Sequence, residues 1–381
     1  MTRTYLPGST IGIMGGGQLG RMFAIAARRM GYRVHVFTPE KNSPTAQFAE
    51  RATVADYSNE SAVRGFAREI DLLTFEFENI PGKTIEWCSE ECDVRPSGAV
   101  LHTAQNRWRE KDFLVEAEIP VAAYRKIARA DELSRALEQI GRPAILKSAA
   151  FGYDGKGQHL IAGAGDVRQL WEARPADELI LERAVSFEKE ISVIVVRGAD
   201  GAVETFPLCE NVHRDHILDV TIIPARVDER IQQTAADLAS TIAKKLDLIG
   251  ILAVEMFLEP DGKILVNELA PRPHNSGHGT IEGCVTSQSE QHLRAVCGLP
   301  LGSTEVVRPS AMANLLGDLW QTGEPDWIAA LNVADVHLHL YGKKEPRPRR
   351  KMGHLTALGS TAGEAISAVL QARSSLTSSA T

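Results

Sequence analysis

The chain has 381 residues, more than one hydrophobic core usually accommodates, so we expect two or three domains. Hydrophobic residues make up 44% and charged residues 24% of the chain, as in ordinary globular proteins, and the net charge of −7 argues against a general nucleic-acid binder. No apolar run approaches the length of a membrane span, and the first residues lack the apolar core of a signal peptide.

The cysteines favour a reducing compartment. There are five, an odd number, and they are scattered along the chain, which is typical of reduced structural thiols. Cys88 and Cys92 have the spacing of half a metal site, but no second pair accompanies them. We therefore expect a cytoplasmic protein that binds neither nucleic acid nor membrane.

Hydrophobic patterns divide the chain into three sections of mixed α/β and α+β character. Residues 1–105 alternate strands with helices and predict a small parallel α/β domain. Residues 106–300 combine a helix near 133–140 and a long helix over 230–246 with strands at 144–147, 158–162, 179–182 and 190–196. Residues 301–381 predict a small C-terminal domain with a strand in "VHLHLY", and its Ser/Thr/Ala-rich tail after Arg373 is expected to be disordered.

The first motif in the chain is a glycine-rich turn. A short apolar strand over 10–14 leads into Gly15-x-Gly17-x-x-Gly20, and apolar residues then recur at helical spacing. Such a strand, turn and helix present free backbone N–H groups at a helix N-terminus, where an anion can bind. A purely structural interpretation stays open, in which the glycines only let the helix and strand pack closely.

The turn also has the spacing of an NAD-binding motif, but the next strand argues against NAD. That motif requires an acidic residue at the end of the second strand, about 20 residues further on, for the ribose hydroxyls. Here the strand over 32–37 is followed by "TPE", so Glu40 lies beyond Pro39 in a loop.

The segment "AILKSAAFGYDGKGQHLIA" predicts a hairpin flap. Its glycines (Gly152, Gly155 and Gly157) lie between two strands, whereas a Walker-type loop would lead into a helix. Lys147 ends the first strand and Lys156 lies in the flap, so backbone donors and ammonium groups suited to a triphosphate occur together. A flexible surface hairpin with incidental lysines is the alternative.

A second hairpin carries two carboxylates. In "AVEMFLEPDGKILVNEL" the dipeptide Asp261-Gly262 is a strong turn signal. A loop symmetric about it pairs residues whose numbers sum to 523, so Glu255 lies opposite Glu268. Facing carboxylates repel, and a shared Mg²⁺ ion removes the repulsion while it binds phosphate oxygens.

Two alternatives remain for this hairpin. The symmetric register puts Phe257 beside Val266 on the acidic face, but Pro260 can shift the pairing by one and bring Asn267 opposite Glu255. The alternative without a metal is that one of the carboxylates simply lies on a solvated strand edge.

Six segments in this order resemble the ATP-grasp superfamily, and within it the N5-carboxyaminoimidazole ribonucleotide synthetase family. They are "GGGQLGRM", "TFEFENIP", "NRWREKDFL", "FGYDGKGQ", "NELAPRPHNSGH" and "YGKKEPRPRRKMGH". The resemblance runs from residue 11 to about 355. It implies a Rossmann-like preATP-grasp domain over 1–105 without NAD, an ATP-grasp domain over 106–300 and a small C-terminal domain over 301–381.

The resemblance implies an ATP site with Mg²⁺ or Mn²⁺ held by Glu255 and Glu268. Within it the flap covers the phosphates, residues 182–185 form the adenine hinge and Glu190 accepts the ribose hydroxyls. The full ATP-binding set is Arg107, Lys147, Gly152, Tyr153, Asp154, Gly155, Lys156, Gly157, Gln158, Glu182, Arg183, Ala184, Val185, Glu190, His213, Asn267 and Glu268. Many ATP-grasp enzymes carry Asn two residues after the second Glu; here that position is Ala270, which is left out of the metal site.

The same resemblance implies the substrate site. The residues expected to bind 5-aminoimidazole ribonucleotide are Gln18, Leu19, Glu76, Tyr153, Asp154, His274, Asn275, Lys343, Arg350 and Lys351. Asp154, Lys156 and Arg272 are the expected catalytic residues. By themselves, the cations at 343–351 also fit a solubilising charged stretch. His337 and His339 share a strand face without an expected carboxylate neighbour and are interpreted as structural.

The resemblance further implies ATP- and bicarbonate-dependent carboxylation of the substrate amine through carboxyphosphate, with ADP and phosphate released, in a homodimer of purine biosynthesis. Another ATP-grasp enzyme, such as formate-dependent glycinamide ribonucleotide transformylase or biotin carboxylase, would share the ATP site. A dehydrogenase would leave the flap and the Glu pair unexplained, and both features argue against a non-catalytic ATP-binding regulator.

Overall fold

The computed structural model describes residues 3–150, 157–163, 171, 172, 174, 176–321 and 323–377. Within these residues the strands form three sheets, one parallel and two built on antiparallel pairs. None of the helices in this described part is both long and apolar enough to cross a membrane.

The N-terminal sheet is parallel and has the order β3-β2-β1-β4-β5. Its strands are β1 (Thr10–Met14), β2 (Arg33–Thr38), β3 (Arg51–Val54), β4 (Leu72–Phe75) and β5 (Asp93–Val94). Its helices are α1 (Gln18–Arg29), α2 (Glu60–Ala67), α3 (Gly82–Ser89) and α4 (Gly98–Ala104). The chain leaves β1 for β2 on one side and later returns to β4 on the other. In such sheets ligands bind beyond the carboxyl ends of the two strands at this switch point, here β1 and β4.

Helix α5 (Arg107–Glu116) follows and leads to a small sheet of order β6-β9-β7-β8. The strands are β6 (Tyr124–Ile127), β7 (Ala144–Ser148), β8 (Gln158–Ile161) and β9 (Leu179–Arg183), with helix α6 (Ala130–Ile140) packed on them. β7 and β8 pair antiparallel, with Lys147 opposite Gln158. The predicted hairpin is confirmed, whereas its tip at 152–156 lies outside the described residues.

The large sheet contains nine strands among the described residues, in the order β15-β14-β10-β12-β13-β16-β18-β17, with β11 paired to β10. Their bounds are β10 (Lys189–Arg197), β11 (Val203–Thr205), β12 (Cys209–Arg214), β13 (Ile217–Ile223), β14 (Gly250–Leu258), β15 (Ile264–Ala270), β16 (Ser310–Leu316), β17 (Val336–Leu340) and β18 (Lys351–Leu358). The strands after residue 300 therefore extend the sheet of the preceding section. The sequence patterns predict a separate domain over 301–381, because strand pairing between distant segments leaves no local signal in the sequence.

The remaining helices are α7 (Glu229–Lys245), α8 (Thr280–Gly283), α9 (Gln288–Cys297), α10 (Trp327–Leu331) and α11 (Ala362–Ser375), with short 3₁₀ turns at Asn275–Gly277 and Gly317–Trp320. The long α7 buries Ile231, Ala235 and Ala239, at helical spacing, in one core with β10 and β14. This core supports the strands that carry the acidic hairpin.

Two further elements connect or correct the predicted sections. Helix α9 packs into the core of the N-terminal sheet, where His292 hydrogen-bonds Thr74 at 2.8 Å. The prediction of disorder after Arg373 is wrong for the next two residues, because α11 continues to Ser375. There the hydroxyls of Ser374 and Ser375 donate to the Gln371 carbonyl, which caps the end of the helix.

Candidate active site

The glycine-rich turn after β1 is closed by a carboxylate of the protein itself. Glu76 follows β4, which lies beside β1, so its side chain reaches the turn. It accepts hydrogen bonds from the backbone N–H groups of Gly17 and, at 2.9 Å, Gly20. Burial raises the pKa of the Glu76 carboxyl, although these hydrogen bonds and the charges of Lys343 and Arg272 oppose the shift. The acceptor at the turn is thus the Glu76 carboxyl group, and the pyrophosphate of NAD would have to displace it.

Two other backbone donors of α1 remain for a ligand. The N–H groups of Gln18 and Leu19 have no hydrogen-bond partner among the described residues, and they lie in the first turn of a 12-residue helix. The side chain of Leu19, in contrast, is buried against Met22 and Tyr341. If Leu19 binds substrate as predicted, its backbone does so.

The acidic hairpin brings Glu255 and Glu268 opposite each other through a β-bulge. Near the turn the register follows a sum of 522, with Phe257 opposite Leu265, so the predicted pairing of Phe257 with Val266 is wrong. The register shifts just after Glu255, and Asn267 is the extra residue on β15. Glu268 then faces Glu255, as predicted for that pair. The strands thus follow the shifted register between the turn and the bulge, and the symmetric register beyond the bulge.

Each carboxylate of this pair contacts a nitrogen of a basic side chain. Nη1 of Arg107 lies 3.0 Å from Oε2 of Glu268, and Nε2 of His274 lies 2.9 Å from Oε1 of Glu255. Burial alone would raise the pKa of the Glu255 carboxyl, but the charge and hydrogen bond of His274, with the charges of His213 and Arg272, hold it well below its usual range. The Glu255 carboxyl is therefore ionised at neutral pH, and the carboxylate oxygens of this pair are the ligand type that a hard cation prefers.

A buried cluster of charges lies next to this pair. Nζ of Lys147 is 2.7 Å from Oε2 of Glu182, and Nζ of Lys111 is 3.8 Å from Oε1. Burial raises the pKa of Glu182, but the charges of Lys111, Lys147 and Arg107 outweigh it and lower the value to about 2. The structure therefore brings Lys147 and Glu182 together, with the Glu182 carboxylate engaged by lysines.

The predicted adenine hinge, residues 182–185, begins in the last two residues of β9 and runs beyond it. The N–H groups of Arg183 and Ala184 donate to the carbonyls of Ala123 and Pro143, whereas that of Val185 has no partner among the described residues. Val185 is thus the hinge donor available to a base.

An aromatic pair accompanies the strands of the acidic hairpin. The rings of Phe187 and Phe257 stack 4.9 Å apart, and Phe257 lies two residues after Glu255 on β14. Because side chains alternate along a strand, Phe257 shares the face of Glu255. No sequence pattern indicates a role for this pair.

The predicted ribose acceptor is paired with the predicted nucleotide-site histidine. Nδ1 of His213 lies 2.7 Å from Oε2 of Glu190 across the β10–β12 ladder. Burial lowers the pKa of His213, but its hydrogen bond and ion pair with Glu190 outweigh burial and raise it above 6.5. The two side chains are about one quarter exposed, so they can meet a hydroxyl group.

Arg272 pairs with a carboxylate that the sequence analysis missed. Nε and Nη2 of Arg272 donate to the Glu78 carboxylate. Burial alone would raise the pKa of Glu78, but the charge of Arg272 outweighs burial and lowers it. Glu78 belongs to the "TFEFENIP" segment, so that motif held the signal. It lines one cavity together with Arg107, Glu110 and Glu268.

The basic stretch 343–351 lies near the glycine-rich turn. Nζ of Lys343 donates to the carbonyl of Lys351, and the amide of Gln47 donates to the carbonyl of Gly342 at 2.9 Å. Burial, reinforced by the charge of Arg350, lowers the pKa of Lys343 to about 8. A partly buried cation of this kind fits an anion site better than a solubilising surface.

The position of Asn275 links the predicted substrate residues to a stack of histidines. Its side chain hydrogen-bonds His278 at 3.1 Å, and His354 stacks between His278 and His339. His339 has a carboxylate neighbour after all, Glu282 at 2.7 Å, which corrects the sequence-based expectation. Among the described residues no group of three or more His, Cys, Asp or Glu side chains has the arrangement of a metal site.

Part of the predicted site lies outside the described residues. These positions are Gly152, Tyr153, Asp154, Gly155 and Lys156. The adjoining Gly157 is described, has φ +73° and accepts a hydrogen bond from the N–H of Ser148.

Three family models match consecutive stretches of the chain. They are the ribonucleotide synthetase preATP-grasp domain over 8–105, the ATP-grasp domain over 112–289 and the phosphoribosylaminoimidazole carboxylase C-terminal domain over 310–368.

Relatives match over nearly the whole length. The chain is 47% identical over 350 residues to the N5-carboxyaminoimidazole ribonucleotide synthase of Bacillus subtilis (strain 168), a match that covers 92% of this chain and 91% of the relative. It is 43% identical to a solved N5-carboxyaminoimidazole ribonucleotide synthetase in complex with ADP, with a TM-score of 0.91 and 98% of both chains covered. The enzyme from Aspergillus clavatus, solved with ADP and 5-aminoimidazole ribonucleotide, is 34% identical, with a TM-score of 0.89 and coverage of 97% of this chain and 98% of that one.

Proposed function

Because the chain belongs to the N5-carboxyaminoimidazole ribonucleotide synthetase family of ATP-grasp ligases in purine biosynthesis, we propose that it carboxylates the amine of 5-aminoimidazole ribonucleotide with ATP and bicarbonate. The products are N5-carboxyaminoimidazole ribonucleotide, ADP and phosphate. The single observation that carries the residue assignments is the facing Glu255–Glu268 pair, whose carboxylates contact His274 and Arg107.

ATP spans the site from the hinge to the acidic pair. The Val185 N–H binds the base, and the stacked rings of Phe187 and Phe257 give it an apolar surface. Glu190 and His213 bind the ribose hydroxyls. The phosphates then reach Lys147 and Arg107, whose carboxylate partners they replace in part.

The acidic pair fits a divalent cation. Both carboxylates lie on one sheet face, and their side chains keep 20% and 36% of their surface exposed. The contacts with His274 and Arg107 use only Oε1 of Glu255 and Oε2 of Glu268. Glu255 and Glu268 would hold Mg²⁺ or Mn²⁺, which would supply positive charge to offset that of the carboxylates and of the ATP phosphates.

In the first step a bicarbonate oxygen attacks the γ-phosphorus of ATP. The new O–P bond forms as the bond to the β–γ bridging oxygen breaks, and ADP and carboxyphosphate result. Arg272 offsets the negative charge that develops, and His274 and Asn275 bind the carboxyl group. The flap, with Lys156, excludes water from the labile carboxyphosphate.

In the second step carboxyphosphate releases CO₂ and phosphate, and the substrate amine takes up the CO₂. Asp154 holds the amine and accepts its proton. The phosphate of the ribonucleotide is bound by Lys343, Arg350 and Lys351, with the N–H groups of Gln18 and Leu19. The partly buried Lys343, which lies close to the charges of Arg350 and Lys351, and the α1 donors that lack a partner among the described residues support this location.

An isotope experiment tests this chemistry. With ¹⁸O-labelled bicarbonate, one label should appear in the released phosphate, because the attacking oxygen stays on phosphorus. ADP release should require 5-aminoimidazole ribonucleotide, whereas glycinamide ribonucleotide and biotin should not replace it. Glu255→Gln should abolish turnover and Glu204→Gln, on exposed β11, should not. Unlabelled phosphate, or activity with another acceptor, would overturn the proposal.

The family also supports a homodimer with a complete active site in each subunit, which sedimentation can check. A cytoplasmic location is consistent with the five free cysteines, since disulfides are rare in that compartment.

A further inference from the structure

Helix α5 presents two fully buried ionisable side chains to strand β15. Glu110 and Lys111 are 2% and 1% exposed, and they follow Arg107 at spacings of three and four, so the three lie on one helix face. Charged groups are almost never this buried unless they are paired. Lys111 lies 3.8 Å from Oε1 of Glu182, and both side chains also hydrogen-bond the backbone of β15.

The contacts flank Glu268 on both sides. Nζ of Lys111 donates to the carbonyl of Asn267 at 2.7 Å, just before Glu268. Oε2 of Glu110 accepts the N–H of Leu269 at 3.1 Å, just after it. β15 ends the sheet, so one of its edges has no neighbouring strand within the described part of the chain. The α5 side chains supply the partners that a strand would otherwise supply.

These contacts coincide with the β-bulge. In the register that leaves the turn, residue numbers sum to 522, and Glu255 would face Asn267. Glu268 would then point to the opposite face of the sheet, because side chains alternate along a strand. The extra residue Asn267 is what turns Glu268 towards Glu255, and its carbonyl is the group that Lys111 holds.

We propose that Glu110 and Lys111 are positioning residues that fix this bulge and thereby hold Glu268 opposite Glu255 for a shared divalent cation. The inference rests on the metal role of the acidic pair proposed above. Neither side chain needs to touch the cation, since each acts through the backbone of β15. Partners that orient the ligands of a metal typically contribute about 10- to 100-fold in metal affinity or activity.

The test measures Mn²⁺ binding to the enzyme–ADP complex, from the electron paramagnetic resonance signal of free Mn²⁺. Glu110→Ala removes the acceptor for the Leu269 N–H, and Lys111→Met removes the donor to Asn267 while it keeps the length of the chain. Both should weaken Mn²⁺ binding about 10-fold or more. Glu110→Gln keeps an acceptor oxygen and should restore affinity to near that of the parent protein.

Glu116→Gln is the matched control. Glu116 is exposed at the end of the same helix, so this change should leave Mn²⁺ binding unaltered. Thermal unfolding of every variant is recorded in parallel. A merely structural role for Glu110 and Lys111 would lower the unfolding midpoint and the active fraction without changing the Mn²⁺ affinity of the folded protein, and that result would overturn the inference.

A Glu268→Gln variant separates this inference from the metal assignment. If Glu268→Gln weakens Mn²⁺ binding but Glu110→Ala and Lys111→Met do not, the positioning role is wrong and the metal site stands. If Glu268→Gln has no effect either, the metal assignment itself fails. Should Lys111→Met not fold, Glu110→Ala with its Gln rescue decides alone.

Discussion

Replacing Glu182 by Gln should destabilise the protein strongly and in a pH-dependent way. The carboxylate is 3% exposed and lies between Lys147 at 2.7 Å and Lys111 at 3.8 Å. Glu182→Gln keeps the shape but leaves two buried ammonium groups facing each other without a counter-charge. Removing one partner from a buried ion pair typically costs about 3–5 kcal/mol.

The pKa of Glu182 gives the same magnitude. Burial opposes ionisation, but the two lysines lower the pKa from 4.5 to about 2. At about 1.4 kcal/mol per pKa unit, this shift is worth about 3 kcal/mol of folding free energy at pH 7. Because the folded-state pKa is the lower one, the contribution is complete above pH 4.5 and declines as the pH falls from there towards 2. At pH 3.5 about 2 kcal/mol should remain.

Urea unfolding followed by circular dichroism measures this at both pH values. Glu138→Gln, an exposed change on α6 beside the same sheet, is the control and should stay within about 0.5 kcal/mol of the parent protein. A Glu182→Gln variant as stable as the parent, or equally destabilised at pH 7 and pH 3.5, would refute the electrostatic account of this cluster.

Two further predictions concern the metal and ribose ends of the site. Glu268→Ala should lower ATP turnover about 10²-fold or more while the fold persists, because two facing carboxylates repel; near-normal turnover would contradict the metal role. The His213 ring should titrate above 6.5 by NMR, since its pairing with Glu190 outweighs the opposing effect of burial, and Glu190→Gln should lower that pKa. The stability of this pair is fully present below 6.5 and is lost as the pH rises through the folded-state pKa; an unchanged titration in the variant would argue against the pairing.

Local patterns were sufficient to predict most elements. The β7–β8 and β14–β15 hairpins, the strand before the glycine-rich turn and the long α7 helix all occur where periodicity and turn residues indicate them. The family and the fold class inferred from six motifs are confirmed. These features depend on neighbours in sequence, or on motifs long enough to be specific.

The bulge could not be predicted in this way. The turn residues Asp261 and Gly262 set the register near the hairpin loop, but the shift at Asn267 depends on α5, about 150 residues earlier. The facing pair Glu255–Glu268 was predicted correctly from a symmetric register that the strands follow only beyond the bulge. The agreement at that pair therefore does not extend to the residues nearer the turn.

The hydrogen-bond and ion-pair partners of individual side chains could not be predicted from the sequence either. Glu76 was assigned to substrate from its motif, whereas the strand order that sets β4 beside β1 brings its carboxylate to Gly17 and Gly20. Its contact with substrate stays a prediction. In the same way Glu78 and Lys111 lie inside motifs that were recognised, but their partners come from distant strands, so composition and spacing gave them no role.

The continuous large sheet has a consequence for cutting the chain. The pairing of β13 with β16 covers an edge whose residues Val220 and Ile222 are buried, and β18 and β17 continue the ladder beyond it. Ending the polypeptide near residue 300, where the sequence suggests a domain boundary, would leave that apolar edge with unpaired N–H and C=O groups. Such an edge readily pairs with other chains. The ATP-binding part of this protein is therefore expected to aggregate when it is produced without its last 80 or so residues, and a soluble fragment would need those strands replaced or the β13 edge covered.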